Sequence, residues 1–243
     1  MTVATYDLAA LEERYVKMTC RATVQCVLRT ELVGGMSADE DGVRAFVNHH
    51  LNLTGDDADK AVARILAEEV GERDATPEGG ELDEKLTYGI SIIRRDEHGP
   101  WIGDWMVKAC LKAAASRLGL FVSKRGSKGD MAEMGRVAAV GASLATPGNP
   151  ERIHLVNPDG TPATTYFQEF KGRIQSPQGA VSIVSHKECV PPGTRFSFEF
   201  RRYDGKLKAD DIANIFAAAM NIGIGSAKAF ERGKFAVESL EIE

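Results

Sequence analysis

A glycine-rich loop near the C-terminus carries residues whose types and spacing suit phosphate binding. The loop runs from Gly223 to Gly233 and holds two cations, Lys228 and Arg232. Glycines tolerate positive φ and let the backbone approach a ligand closely, and successive free N–H groups can form a concave anion site. With two cations in the same loop, the pattern predicts a phosphate site. A helix C-cap followed by a plain turn is the alternative interpretation.

The elements that must position this loop separate it from known nucleotide-binding loops. Apolar residues recur at helical spacing before it: Ile212, Ile215, Phe216, Ala219 and Met220. After it, a strand-like alternation starts at Phe235 and resumes out of phase at Leu240, which predicts a β-bulge around residues 238–239. Walker and dinucleotide loops run from a strand into a helix. This loop runs from a helix into a strand, so both classes are excluded.

Composition and charge limit the kinds of protein that this chain can be. The 243 residues are 43% hydrophobic and 27% charged, as in a globular protein, and no apolar run reaches the roughly 18 residues of a membrane span. The acidic N-terminal segment is unlike a signal peptide, so a cytoplasmic location is expected. The net charge is −5, but it is unevenly distributed. Residues 39–97 hold 16 acidic and 7 basic side chains, whereas the rest of the chain holds 19 acidic and 23 basic side chains. An acidic insert on a mildly basic body is compatible with nucleic-acid binding.

The four cysteines have no CxxC spacing, and the five histidines are scattered. Cys20 and Cys26 fall on the same face of a predicted strand, so buried, reduced thiols are expected. No metal site is predicted.

Periodicity predicts an α+β fold. Residues 15–29 alternate as a strand with one apolar and one basic, polar face, and helices are predicted within 40–73 and from Asp104 to Gly119. Residues 123–150 are predicted to be loop with helical pieces. Further strands are predicted at 91–94, 151–156, 164–174, 181–184, 195–201 and 234–242. Phe196, Phe198 and Phe200 line one strand face and are expected in the core rather than in a base-stacking platform.

Without its inserts, the chain reads strand, helix, strand, strand, helix, strand. This is the order of the ferredoxin-like split βαβ arrangement, which RNA-recognition folds also use. Two further motifs accompany the glycine-rich loop: a glycine-containing turn with a lysine at residues 99–108, and a Pro-Gly turn at 190–193 before the aromatic strand.

Together, the three motifs resemble the RAMP superfamily of CRISPR-associated proteins, especially the backbone subunits of effector complexes. The glycine-containing turn at residues 99–108 departs from the RAMP pattern. It lacks the usual proline before Gly103 and the serine after it, and Ala109 stands where a glycine often follows the lysine. The resemblance implies one RAMP-like domain over residues 1–243 with a ferredoxin-like core. Core elements are expected from 14–35, 90–120 and 164–243, with an extra β-hairpin, a helical acidic insert at 36–89 and a basic, Gly/Ala-rich insert at 121–163.

The resemblance also implies a role: coating a single-stranded guide RNA through phosphate contacts, without a cofactor. The implied partners are copies of the chain in a helical array, other effector subunits and a target nucleic acid, with no membrane. The RNA-binding candidates are Lys17, Arg21, Lys108, Lys112, Lys124, Arg125, Lys128, Gly223, Gly225, Lys228, Arg232 and Gly233. The polar face of residues 15–29, the loop cations and the lysines at 108 and 112 are expected on one side of the sheet.

Three alternatives remain open. Some type III relatives cut target RNA with an aspartate after the first strand, and Asp39 and Asp41 would be the catalytic candidates, with a divalent metal. Guide-processing relatives use a histidine as general acid or base, which points to His49 or His50. The third alternative is a self-assembling structural protein that binds no RNA.

Overall fold

The strand alternation predicted for residues 15–29 places β1 (Thr19–Leu28) at the centre of a four-stranded antiparallel sheet. In the computed structural model, the described residues are 19–70, 87–120, 136–140, 151–176, 179–203, 209–228 and 231–242. The sheet order is β12–β1–β11–β7, and the other three strands are β7 (Arg136–Ala139), β11 (Arg195–Tyr203) and β12 (Phe235–Ile242). Every neighbouring pair in this sheet is antiparallel.

Two helices cover one face of this sheet. They are α3 (Asp104–Arg117) and α4 (Ala209–Ile222), and they pack against the apolar side of β1. Phe196, Phe198 and Phe200 of β11 are at most 3% exposed, so the prediction that they belong to the core is confirmed. Burying a phenylalanine contributes roughly 1.5–3 kcal/mol, which explains why this face is closed to bases.

A second, five-stranded sheet carries the extra hairpin. Its strands are β2 (Leu32–Val33), β3 (Met36–Ser37), β4 (Thr87–Ile92), β9 (Tyr166–Ser176) and β10 (Gly179–Val190). β9 and β10 pair antiparallel along their length, and β10 also pairs with β2 and β4. A small third sheet is formed by β5 (Arg95–Asp96), β6 (Gly99–Gly103) and β8 (Arg152–His154).

The acidic insert is helical, as predicted. It contains α1 (Glu40–Phe46) and α2 (Gly55–Ile65), each continued by a π-helical turn, Val47–Leu51 and Leu66–Val70. Its apolar side chains form a separate core with Met36 and Ile92 of the second sheet. In the part of the chain that the structure describes, no helix is both long and apolar enough to cross a membrane.

The structure corrects two sequence predictions. Residues 136–139 form β7, an edge strand of the first sheet, where loop with helical pieces was predicted. The reason is that Val137 and Ala138 are buried beside β11, a tertiary pairing that a short segment does not encode. The basic face of β1 and the lysines of α3 also lie on opposite sides of the sheet, because α3 covers the apolar face.

Two local predictions are confirmed. The register of β12 against β1 shifts between Gln25 and Cys26, where residue 238 is skipped; this is the predicted bulge. Cys26 is buried and free, as predicted, whereas the side chain of Cys20 lies outside the described residues. Cys110 and Cys189 are also buried and free. Burial raises the pKa of the Cys110 and Cys189 thiols to about 11.

Candidate nucleic-acid interface

The glycine-rich loop closes on itself and on the segment after β1. Ile224 N–H donates to the Gly233 carbonyl at 2.9 Å, and Gly233 N–H donates to the Glu31 carbonyl at 2.7 Å. Ser226 N–H donates to the Val33 carbonyl at 3.2 Å. These three donors serve the fold, so they are not the free N–H groups expected of an anion nest.

The glycines are required by this closure. Gly223 and Gly233 have φ of +79° and +72°, in the region that side chains rarely adopt. A Cβ on Gly233 would lie 1.9 Å from the Ile224 carbonyl oxygen. The loop between α4 and β12 is therefore tightly packed against the segment after β1, whereas a simple helix C-cap would make only local hydrogen bonds.

The loop cations differ in their environment. Arg232 forms an ion pair with Glu31 and is 29% exposed, so part of its charge is neutralised within the protein. Lys234 pairs with Glu231 at 3.1 Å. Lys228 is exposed, and among the described residues it has no salt-bridge partner.

A groove of about 540 Å³ lies between this loop and the β9–β10 hairpin. We call it the hairpin–loop groove. Its lining residues come from the hairpin and the loop: Gln168, Glu169, Phe170, Lys171, Gly172, Lys187, Ala227 and Arg232. The Lys187 ammonium lies 5.6 Å from the centre of the Phe170 ring. Lys171 is 79% exposed and pairs with Glu169 at 3.0 Å.

The groove combines the two features that single-stranded nucleic acid needs. Lys171, Lys187 and Arg232 offer cations for phosphate oxygens, and the half-buried Phe170 offers a ring for base stacking. Sequence reasoning found Arg232 but missed the two lysines and the phenylalanine. Phe170 and Lys171 lie in a predicted strand, whereas Lys187 lies on β10 beyond the predicted strand at 181–184. The pairing of β9 with β10 brings the three side chains together.

The predicted lysines of α3 lie elsewhere. Lys108 and Lys112 stand one turn apart on the helix layer, and neither lines the hairpin–loop groove. Partial burial and the neighbouring Lys108 lower the pKa of the Lys112 ammonium. Four further candidates, Lys17, Lys124, Arg125 and Lys128, lie outside the described residues, as does the side chain of Arg21.

Asp39 has a clear structural task. It is the N-cap of α1, where its carboxylate accepts the Gly42 N–H at 2.7 Å and the Ser37 hydroxyl. The hydrogen bond from Ser37, followed by that from Gly42, lowers the pKa of this carboxyl. Asp41 lies in the first turn of the same helix, and His49 is exposed in the π-helical turn that follows. Among the described residues, no cluster of His, Cys, Asp or Glu is arranged to hold a metal ion.

Comparison with known proteins gives structural likenesses only. No protein-family model and no curated protein matches the chain. It is similar to a chain in the type III-B Cmr-beta complex bound to cognate target RNA, with a TM-score of 0.47 and 11% identity. That match covers 96% of this chain, which spans 64% of the length of the Cmr-beta chain.

Two other structures give weaker likenesses. A chain of a type IV-B CRISPR complex matches with a TM-score of 0.37 at 14% identity, and the match covers 92% of this chain and 90% of the other. Cmr6 from Pyrococcus furiosus matches with a TM-score of 0.38 at 10% identity, covering 90% and 98%. At these scores and identities, the role of the chain has to be argued from its own residues.

Proposed function

We propose that this protein is an RNA-binding backbone subunit of a CRISPR-type ribonucleoprotein. In this proposal, the sheet β12–β1–β11–β7 with α3 and α4 is a ferredoxin-like core, since its strand order and its two helices fit a split βαβ arrangement. The three motifs that resemble the RAMP superfamily support the assignment. The acidic insert and the β9–β10 hairpin are additions to that core.

The observation that carries the proposal is the hairpin–loop groove. It gathers three cations, Lys171, Lys187 and Arg232, and one carboxylate, Glu169, in a protein whose net charge is −5, so the groove is basic even though Lys171 pairs with Glu169. A local cluster of cations in an acidic protein indicates a specific place for an anion. Phosphate contacts of this kind give affinity without sequence readout, which suits a subunit that must bind any guide.

The glycine-rich loop has a positioning role in this account. Because several of its N–H groups donate to the protein, we assign phosphate binding to side chains that the loop supports rather than to a backbone nest. Arg232 contributes from the loop, and Lys171 and Lys187 contribute from the hairpin. Lys228 extends the basic surface on the exposed side of the loop.

The direct test is whether the purified protein binds RNA and forms arrays on it. We expect nucleic-acid extraction to release short RNA, and we expect added single-stranded RNA to be bound at low salt. Light scattering should show complexes that grow by whole protomers as the RNA is lengthened. Protein that is free of RNA and does not bind it at low salt would contradict the proposal.

A further inference from the structure

One face of the β9–β10 hairpin carries aromatic and polar side chains beside the hairpin–loop groove. Alternate residues of a strand point to the same face, and residues paired directly across two antiparallel strands share that face. We call this side of the hairpin the open hairpin face. By the register of the two strands, its described residues are Tyr166, Gln168, Phe170 and Gly172 of β9 with Ser185, Lys187 and Cys189 of β10.

The opposite face of the hairpin packs against the rest of the protein. Phe167 packs against the apolar core of the acidic insert, and Glu188 forms an ion pair with Arg95. The open hairpin face therefore points away from the insert. It also forms one side of the hairpin–loop groove, because four of its residues line that groove: Gln168, Phe170, Gly172 and Lys187.

Two accessible rings stand on the open hairpin face. Tyr166 is 40% exposed, more than any other Phe, Trp or Tyr side chain that the structure describes, and Phe170 is half-buried. Gly172, the next residue on this face after Phe170, has no side chain, so it leaves space beside the Phe170 ring. The two rings are four residues apart on β9, which at about 3.3 Å per residue separates them by roughly 13 Å.

The charge of this face favours a nucleic acid. Among its described residues, the one charged side chain is Lys187, whereas the opposite face carries Glu169 and Glu188. Lys187 is paired with Gln168, so it lies between the levels of the two rings, and its ammonium is 5.6 Å from the centre of the Phe170 ring. A cation between two rings suits a strand whose bases stack on the rings and whose intervening phosphates meet the cation. An apolar protein segment has no group that pairs with this ammonium.

We propose that the open hairpin face binds two bases of the RNA strand that follows the hairpin–loop groove, one stacked on Tyr166 and one on Phe170. The inference rests on the proposed function, which assigns the phosphate contacts to the groove, and it adds where the bases lie. Stacking accepts every base, since each base has a π-face, so the contact suits a subunit that binds any guide. At roughly 3.4 Å per nucleotide, the separation of the rings corresponds to about four nucleotides of a stacked strand.

An abasic oligomer separates stacking from phosphate contacts. We expect the protein to bind an oligoadenylate of about twelve nucleotides at least about 25-fold more tightly than an abasic RNA of equal length and charge. Tyr166→Ala with Phe170→Ala should remove most of this preference and leave the affinity for the abasic RNA unchanged, because the cations remain. Fluorescence anisotropy at low salt measures both affinities.

The outcomes distinguish this inference from the proposed function. Equal affinity of the unaltered protein for the two oligomers, or a preference that survives in the double variant, would overturn the base site and leave the phosphate site in the groove. If neither oligomer binds at low salt, both the proposed function and the base site are wrong.

A pair of single variants distinguishes stacking from packing. Tyr166→Phe keeps the ring and should bind oligoadenylate like the unaltered protein, whereas Tyr166→Leu keeps an apolar side chain without a ring and should bind at least about fivefold more weakly. Equal losses in the two variants would contradict stacking. Leu118→Ala, which removes a 44% exposed apolar side chain at the end of α3, is the control and should change neither affinity.

Photocrosslinking locates the bases in the unaltered protein, so it remains available if a variant does not fold. The probe is an oligomer that carries 5-bromouridine, which forms cross-links to adjacent aromatic side chains on irradiation. We expect mass spectrometry to find the cross-links on Tyr166 and Phe170. Cross-links confined to other segments would overturn the proposal.

Discussion

At the scale of single residues, contacts decide what a charged side chain can offer a ligand. Arg232 and Lys228 stand four residues apart in the same loop, but Arg232 is paired with Glu31 whereas Lys228 is exposed. The sequence shows both cations and gives no sign of the pairing, because Glu31 is about two hundred positions away. The ion pair reduces the attraction that Arg232 exerts on a phosphate.

Removing the Glu31 charge should therefore strengthen RNA binding. We expect Glu31→Gln to lower the dissociation constant for single-stranded RNA by about fivefold, since this half-buried pair is worth on the order of 1 kcal/mol, the upper end for ion pairs near a protein surface. Fluorescence anisotropy at low salt measures this. Glu241→Gln, which removes an exposed carboxylate on β12, is the matched control. Weaker binding by Glu31→Gln would show that Arg232 needs its partner for position.

Asp39 gives a prediction for stability and pH. Asp39→Ala should lower the free energy of unfolding by about 1 kcal/mol at neutral pH, because α1 loses its N-cap. The pKa of this carboxyl is lowered in the folded protein from 3.8, so its stabilisation is complete above that value and is lost as pH falls through the lowered pKa. Denaturant titrations at neutral and acidic pH should show the difference from wild type shrinking in acid.

The same residue separates capping from catalysis. Asp39→Asn keeps a capping side chain but removes the charge, so we expect it to lose less stability than Asp39→Ala at neutral pH and to approach wild type in acid. If the protein cuts complementary RNA with a divalent metal, and Asp39→Asn or Asp41→Ala abolishes the cutting, the endoribonuclease alternative is correct. A stability difference between Asp39→Ala and wild type that is equally large at neutral and acidic pH would contradict the assigned role of the carboxylate.

At the scale of elements, the glycine-rich loop joins parts of the fold that are distant in sequence. It links α4 to β12 and ties both to the segment after β1 through the Gly233–Glu31 and Ser226–Val33 hydrogen bonds. The helix before it, the strand after it and the bulge at residue 238 could all be predicted, because periodicity encodes them locally. The acceptors of its N–H groups could not be predicted, because they lie in the segment after β1, about two hundred residues earlier in the sequence.

A pair of glycine substitutions measures this closure. Gly233 and Gly119 have nearly equal φ, +72° and +69°, but a Cβ on Gly119 meets nothing within 4 Å, whereas one on Gly233 would overlap the Ile224 carbonyl. Gly119→Ala should cost about 1–2 kcal/mol from backbone strain alone. Gly233→Ala should cost clearly more. Thermal unfolding of both variants tests this, and equal losses would argue against a tightly packed loop.

At the scale of the whole molecule, the net charge gives no sign of the basic groove that we propose for RNA binding. The acidic insert accounts for the net charge of −5, while the hairpin–loop groove gathers cations from two distant segments. The α+β class and the helical insert followed from periodicity. The strand formed by residues 136–139 and the groove itself arise from pairings between segments far apart in sequence, so no local pattern predicts them.

The most direct test of the central claim is the salt dependence of RNA binding by Lys171→Ala with Lys187→Ala. Each lost phosphate contact should reduce the slope of log K against log salt by about 0.7, so the double variant should lose about 1.4 and bind more weakly at every salt concentration. Lys60→Ala with Arg64→Ala, which removes two exposed cations from α2, should keep the wild-type slope. An unchanged slope in the groove variant, or an equal loss in the α2 control, would contradict the assignment of the groove as the RNA site.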